Sequence, residues 1–126
     1  MRVLTLDTLP IKDRDMSYMK SLNELEELRL GVCPISDAGV AHLKDMHHLK
    51  LLDLWDTSVT DASVAHLKNL KSLERLDVSN TKVSDACIND LIAMPALREV
   101  FLKGSKVTDA GAKRLRTARP KMAVSW

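Results

Sequence analysis

The sequence predicts an α/β solenoid, a right-handed coil of five 24-residue strand–helix repeats plus a partial sixth. Segments similar to LKLLDLWDTSVTDASVAHLKNLKS recur without insertion, beginning at Leu25, Leu49, Leu73 and Leu97. Each segment opens with apolar residues at every second position and closes with apolar residues at helical spacing. One such unit cannot bury its apolar side alone, so stacked units are expected, with a parallel sheet on the concave side and helices on the convex side.

The repeats fill the chain and define its predicted organisation. We expect a single domain, residues 1–126, without a linker or second module. The repeats are residues 1–24, 25–48, 49–72, 73–96 and 97–120, and residues 121–126 begin a sixth.

The first half of each repeat predicts a strand. Counting from the first leucine of the repeat, positions 4 and 6 are apolar and positions 3 and 5 are mostly polar, as in Glu27–Leu30. This alternation over positions 2–6 directs positions 4 and 6 inward. Stacking then aligns equivalent positions of successive repeats into columns.

The second half predicts a short helix. An Ile or Val at position 11 closes the turn, and Ser or Thr followed by Asp occupies positions 12 and 13, as in Thr60-Asp61. A hydroxyl at the helix start accepts from free backbone N–H groups, and a carboxylate there is stabilised by the helix dipole. Apolar positions 16, 19 and 22 then form one buried stripe.

The pattern L-x-x-L-x-L-x-x-(N/C)-x-(I/V), seen in LEELRLGVCPI and LERLDVSNTKV, resembles the leucine-rich repeat family. The second half, as in ISDAGVAHL, resembles the bacterial 24-residue class related to ribonuclease-inhibitor and GALA-type repeats. The resemblance implies adaptor or recognition roles. At position 9 the family's Asn hydrogen-bonds loop backbone, but here the residues are Leu9, Cys33, Thr57, Thr81 and Ser105. Leu9 cannot hydrogen-bond, so the first repeat is expected to be the loosest.

Charge and composition narrow the class of protein. Residues 1–96 carry a net charge of −4 and residues 97–126 a net charge of +6. There is no apolar run long enough to span a membrane. The opening MRVLTLDTLP lacks the core of a signal peptide, so a cytoplasmic location is expected.

Cys33 and Cys87 lie two repeats apart, and we expect both to be reduced and at least partly buried.

The outward strand positions form the candidate binding surface, because the scaffold does not require their side chains. Trp55, Leu51 and Phe101 are the expected apolar anchors, with charged residues around them. The predicted partner is a protein, and the predicted contact residues are Arg29, Leu51, Asp53, Trp55, Arg75, Asp77, Glu99 and Phe101. The simpler alternative is a solvated sheet face with cross-strand ion pairs.

Two other functions stay open. The end strands have no polar caps, which favours self-association into an oligomer or a longer array. A basic run near the C-terminus favours binding of an anionic partner, either nucleic acid or a membrane. A solvated helix face or a C-terminal cap explains the same run more simply. This run comprises Lys113, Arg114, Arg116, Arg119 and Lys121.

The sequence indicates no enzyme, no cofactor and no metal site. Asp53 and Asp77 are expected side by side, with Asp56 near, but a catalytic or cation site would need a third ligand and a pocket. The four histidines, His42, His47, His48 and His66, are expected to be solvent-exposed, since they do not form the tetrahedral set that zinc requires.

Overall fold

A computed structural model describes residues 2–126, and these residues form the six parallel strands that the repeats predict. The strands follow one another in chain order across one open sheet, and each pairs with the next in a register offset by 24 residues, as in Leu28 opposite Leu52. The strands are β1 (Val3–Thr5), β2 (Glu27–Arg29), β3 (Leu51–Asp53), β4 (Arg75–Asp77), β5 (Glu99–Phe101) and β6 (Ala123–Ser125).

Short helices follow the strands, as predicted. They are α1 (Asp37–Val40), α2 (Asp61–Leu67), α3 (Ile88–Ala93) and α4 (Asp109–Ala118). Tighter 3-10 turns cover Asp13–Leu22, Ala41–Leu43 and Asp85–Cys87. The 3-10 conformation rises about 2.0 Å per residue instead of 1.5 Å, so a short segment spans more of the return path to the next strand. In the part of the chain that the structure describes, none of these helices is long and apolar enough to cross a membrane.

The predicted apolar columns form the core, and their burial declines only at the two ends. In the second to fourth repeats every member of the columns is buried. In the first repeat Leu4 and Leu6 are half-buried and Leu9 is 45% exposed. At the other end Trp126 departs from the inward column, because the residue is 45% exposed and its Nε1 donates to the Val107 carbonyl at 2.8 Å.

The Ser/Thr-Asp positions have a second role beyond starting the helices. The hydroxyls of Thr60, Ser84 and Thr108 accept from backbone N–H groups of the helices, as predicted. Each Asp carboxylate, however, extends to the next repeat and accepts from both the backbone N–H and the hydroxyl there. We call this series the Asp ladder: Asp13 to Ser36, Asp37 to Thr60, Asp61 to Ser84, and Asp85 to Thr108.

The Asp ladder supplies a connection between repeats that position 9 largely lacks. The Thr57 hydroxyl donates to Leu54 of its own repeat at 2.7 Å, and Thr81 and Ser105 bond in the same local way. Only the Cys33 thiol reaches back to the preceding repeat, donating to the Leu6 carbonyl at 3.1 Å. A Thr or Ser side chain is shorter than Asn, and beyond the backbone bonds of the sheet the carboxylates of position 13 provide most side-chain hydrogen bonds between repeats.

Small residues at position 15 make room for the Asp ladder. A Cβ on Gly39 would lie 2.5 Å from Asp13 Oδ1, and one on Gly111 would clash with the Asp85 carboxylate. In the third repeat Ser63 instead donates its hydroxyl to Asp37. Burial raises the pKa of Asp37, but the hydrogen bonds from Ser63 and Thr60 outweigh it and leave that pKa below its ordinary value.

Candidate functional site

The concave strand face, defined by positions 3, 5 and 7 of the repeats, contains all the predicted contact residues. The register aligns Glu27, Leu51, Arg75 and Glu99 in one column and Arg29, Asp53, Asp77 and Phe101 in a second. Trp55 follows at position 7, just beyond β3. The structure therefore gathers the eight predicted residues on one face, seven of them on the adjacent strands β2 to β5 and Trp55 just beyond β3.

Trp55 is the exposed aromatic residue of this face, and its indole is held against the neighbouring repeat. The residue is 37% exposed. A Cβ on Gly31 would clash with Nε1 and Cδ1 of the indole, so the ring occupies the space above that glycine. The Gly31 N–H is itself fixed by Asp7 Oδ1 at 2.7 Å. Gly31 was not among the predicted contact residues, and a glycine one repeat before an exposed tryptophan was its only sequence signal.

Asp53 is a nearly buried carboxylate beside Trp55. It is 8% exposed, its Oδ1 accepts from the Trp55 N–H at 3.0 Å, and its Oδ2 lies 3.8 Å from Arg29 Nη1. Burial raises the pKa of Asp53, and the carboxylates of Asp77 and Asp7 act in the same direction. The hydrogen bond from the Trp55 N–H and the charge of Arg29 lower the pKa of Asp53, but they offset the increase only in part.

Arg75 contacts two residues of the neighbouring strand β5. Its Nε lies 3.1 Å from Glu99 Oε1, and its guanidinium carbon lies 5.0 Å from the centroid of the Phe101 ring. Such a geometry combines an ion pair with a cation–π contact. Arg75 therefore pairs toward β5 and forms no ion pair with Asp53 or Asp77.

The apolar anchors do not form one patch. Leu51 is only 9% exposed, so it offers little contact area. Trp55 follows β3 and Phe101 lies on β5, with the charged strand β4 between them. Two strand spacings correspond to about 10 Å. The face therefore presents two separate aromatic groups with charged side chains between them.

A charged row along the rim of this face was missed by the sequence analysis. At position 2 of successive repeats the charge alternates: Arg2, Glu26, Lys50, Glu74 and Arg98. Glu26 pairs with Arg2 at 2.7 Å and with Lys50 at 3.2 Å, and Glu74 pairs with Arg98 at 3.6 Å. The alternation of sign every 24 residues was its signal, and this row adds cross-strand ion pairs beside the concave strand face.

The basic run near the C-terminus divides into two groups. Arg116 donates to the Val124 carbonyl at 3.1 Å. Arg119 donates to three backbone carbonyls, one in the last turn of α3 and two in the loop that follows it. These two side chains hydrogen-bond backbone carbonyls near the C-terminus. They therefore act as the C-terminal cap that was one of the simpler explanations of the basic run. Lys113, Arg114 and Lys121 are exposed.

The remaining polar candidates are scattered. His47 and His48 are exposed as predicted, whereas His42 and His66 are half-buried, contrary to the prediction. Cys33 and Cys87 are both buried, as predicted. Within residues 2–126, no three His, Cys, Asp or Glu side chains are grouped so that they could hold a metal ion.

The open parallel sheet, with helices or 3-10 turns between successive strands, is the solenoid of leucine-rich repeat proteins, and comparison with solved structures confirms this class. An internalin (inlF) from Listeria monocytogenes aligns with a TM-score of 0.83 and 25% identity over 99% of this chain and 34% of that chain. Internalin C2 (inlC2) from the same organism aligns with a TM-score of 0.73 and 28% identity over 91% of this chain and 48% of that chain.

A further similar structure is actin-binding site 2 of leiomodin-1, with a TM-score of 0.67 and 14% identity over 88% of this chain and 77% of that chain. At that identity the likeness concerns the fold alone. The chain spans less than half the length of either internalin. No protein-family model matches the sequence, and a search of curated proteins finds no significant match. The neighbours support a protein-interaction module in general, a class that is typically non-enzymatic.

Proposed function

We propose that the chain binds a protein partner through the concave strand face, with Trp55 as the central contact. The observation that carries this proposal is the position of Trp55, which is 37% exposed and packs its indole against Gly31. Tryptophan is among the residues that contribute most to protein interfaces, because it offers a large contact area at small entropic cost. The leucine-rich repeat neighbours at 25% and 28% identity support a protein-interaction module in general.

The surroundings of Trp55 favour a partner with an apolar recess and polar groups around it. Arg29 faces Asp53 at 3.8 Å, and Arg75 is held by Glu99 and the Phe101 ring. Side chains that are already fixed lose less conformational entropy when a complex forms. The same residues therefore provide both a polar surround for the indole and a largely preformed surface.

The proposal is tested by capturing partners from a lysate of the source cells with the wild-type chain and with Trp55→Ala. Tyr18→Ala is the control, because Tyr18 is 73% exposed on the helical side, away from the strands. We expect one captured protein to be lost with Trp55→Ala and kept with Tyr18→Ala. Identical protein lists for the three baits would contradict the proposal.

Gly31→Ala tests the position of the indole without removing it. The new methyl group has no space beneath the ring, so Trp55 must move while the protein keeps its composition of charged and aromatic residues. We expect this variant to bind the captured partner more weakly than wild type. Intrinsic tryptophan fluorescence of the free variant checks that the indole has changed environment.

Self-association through the end strands is the second candidate function. In β1, Val3 is 54% exposed and Leu4 is half-buried, so this edge of the sheet carries apolar surface. An exposed apolar edge strand is a template for further strand pairing. Light scattering over a range of concentrations distinguishes the two candidates: a growing mass supports assembly, and a constant monomer mass contradicts it.

A further inference from the structure

A groove of about 660 Å³ lies next to the concave strand face, at the C-terminal end of its charged rim. Its charged lining consists of the cations Arg75, Arg98, Arg119 and Lys121 and the carboxylates Glu74 and Glu99. Leu97, Met122 and Ala123 complete the lining. With four cations and two carboxylates, the groove has an excess of positive charge.

Internal ion pairs account for both carboxylates of the groove. Glu74 pairs with Arg98 at 3.6 Å, and Glu99 pairs with Arg75 at 3.1 Å. The two remaining cations, Arg119 and Lys121, form no ion pair with any residue between 2 and 126. The excess charge therefore belongs to these two side chains.

Arg119 is held in the groove by neutral groups. Its Nη1 donates to the carbonyl oxygens of Ile92 at 2.8 Å and Met94 at 2.9 Å, and its Nη2 donates to Leu97 at 2.9 Å. A guanidinium group has five N–H donors, so Nε and Nη2 each keep one donor. Carbonyl oxygens orient the guanidinium without neutralising it, and the free donors are the kind that bind carboxylates.

The corresponding groove at the N-terminal end of the rim has a different charge. It has a volume of about 210 Å³, and its charged residues are Arg2, Lys50, Glu24 and Glu26. Glu26 pairs with both cations, and Glu24 balances the remaining charge. The charges of this groove cancel, so the positive excess is a property of the C-terminal groove and not of the rim in general.

We propose that the groove around Arg119 and Lys121 binds an acidic peptide segment of a protein partner. Carboxylates of that segment pair with Lys121 and with the free N–H groups of Arg119. The inference deepens the proposed function, on which it rests, because Arg75 and Glu99 belong both to the groove and to the concave strand face. The protein partner is thus expected to place acidic residues beside the part that covers Trp55.

The test is a titration of a fluorescein-labelled oligoglutamate peptide, followed by fluorescence anisotropy, with oligolysine as the negative probe. Lys121→Glu is compared with Lys113→Glu, which makes the same change of net charge on the exposed surface of α4. We expect Lys121→Glu to weaken oligoglutamate binding roughly tenfold, and Lys113→Glu to weaken it less than about twofold. Lys121→Met, which removes the charge and keeps most of the side chain, should give an intermediate loss.

Three results would overturn the inference: no binding of oligoglutamate to wild type, equal weakening by both charge reversals, or tighter binding of a single-stranded oligonucleotide that depends on Lys121. Trp55→Ala is included and should bind oligoglutamate like wild type. If the groove fails this test while partner capture still depends on Trp55, the proposed function stands and only the inference falls. If capture is independent of Trp55, the proposed function falls whatever the peptide does.

Discussion

Asp37 accepts two hydrogen bonds from Thr60 of the following repeat, one from the backbone N–H at 2.8 Å and one from the hydroxyl at 2.6 Å. It accepts a third from the Ser63 hydroxyl. This residue therefore fixes the relative position of two repeats at the point where their helices begin. Because these bonds are half-buried and charged, they contribute more than an exposed ion pair would.

Asp37→Ala is expected to lower the free energy of unfolding by about 2–4 kcal/mol, because it leaves three donors without an acceptor. Urea denaturation measures this loss. The control is Asp109→Ala, at the same repeat position, where the residue is exposed and bonds to no following repeat within residues 2–126. That variant should lose less than about 1 kcal/mol, mainly from the helix dipole. Similar losses in both variants would show that the Asp ladder does not stabilise the fold.

Asp53→Asn is expected to stabilise the protein near neutral pH. The pKa of Asp53 is raised by burial, so the folded state binds more protons than the unfolded state between the two pKa values, and stability falls as the pH rises through that interval. Asparagine has no such cost, and its oxygen still accepts from the Trp55 N–H. The gain in urea midpoint should shrink as the pH falls and vanish below about pH 3, where the aspartate is protonated in both states.

Asp45→Asn is the control for this experiment, because Asp45 is exposed in a loop. Its urea midpoint should follow that of wild type at every pH. If Asp53→Asn is less stable than wild type at neutral pH, the pairing with Arg29 outweighs the burial of the carboxylate, and the argument is wrong.

Val32→Asn is expected to raise the free energy of unfolding by about 1 kcal/mol, because Val32 has a φ of 65°, a conformation that β-branched residues rarely adopt. The side chain is 38% exposed, so little apolar burial is lost. Thermal or urea unfolding measures the gain. Val3→Asn replaces another exposed valine, in the extended strand β1, and should not stabilise the protein. A gain in both variants, or in neither, would contradict the role of φ.

The two thiols should resist alkylation while the protein is folded. Burial raises the pKa of Cys33, and it raises the pKa of Cys87 to about 12, with the Asp61 carboxylate acting in the same direction. At about pH 8, iodoacetamide followed by mass spectrometry should therefore detect no modified native protein and two modified sites after unfolding in urea. Cys33→Ala isolates the response of Cys87. Rapid labelling of native Cys33→Ala would contradict the burial of the remaining thiol.

The sequence predicted the fold because its signal repeats. Leu28, Leu52 and Leu76 share a position, and three copies of one apolar pattern leave little choice of register. The Asp ladder was not predicted, because Ser/Thr followed by Asp is already explained as a helix start. Whether a carboxylate also contacts the next repeat depends on the separation of two helices, which a pattern within one repeat does not contain.

The candidate surface was predicted as a face, but its contacts were not. The two columns follow directly from strand alternation. The pairing of Arg75 with Glu99 was not predictable, because Asp77 in the same strand and Asp53 across the sheet were equally plausible partners on charge alone. The contact of Trp55 with Gly31 was not predictable either, because it depends on the rotamer of the indole. Nor were the hydrogen bonds of Arg119, because its acceptors are backbone carbonyls.

The Asp ladder also bears on how the length of such a protein changes. Every contact in it joins a carboxylate to the Ser or Thr that lies 23 residues later. Removing residues 49–72 in phase would bring Ser84 opposite Asp37, the same kind of pair that Asp13 already forms with Ser36. Gene duplication or deletion of one repeat therefore creates no mismatched junction in the Asp ladder, and the concave strand face gains or loses one strand. The charged rim is not preserved in the same way, because this deletion removes Lys50 and brings Glu26 beside Glu74.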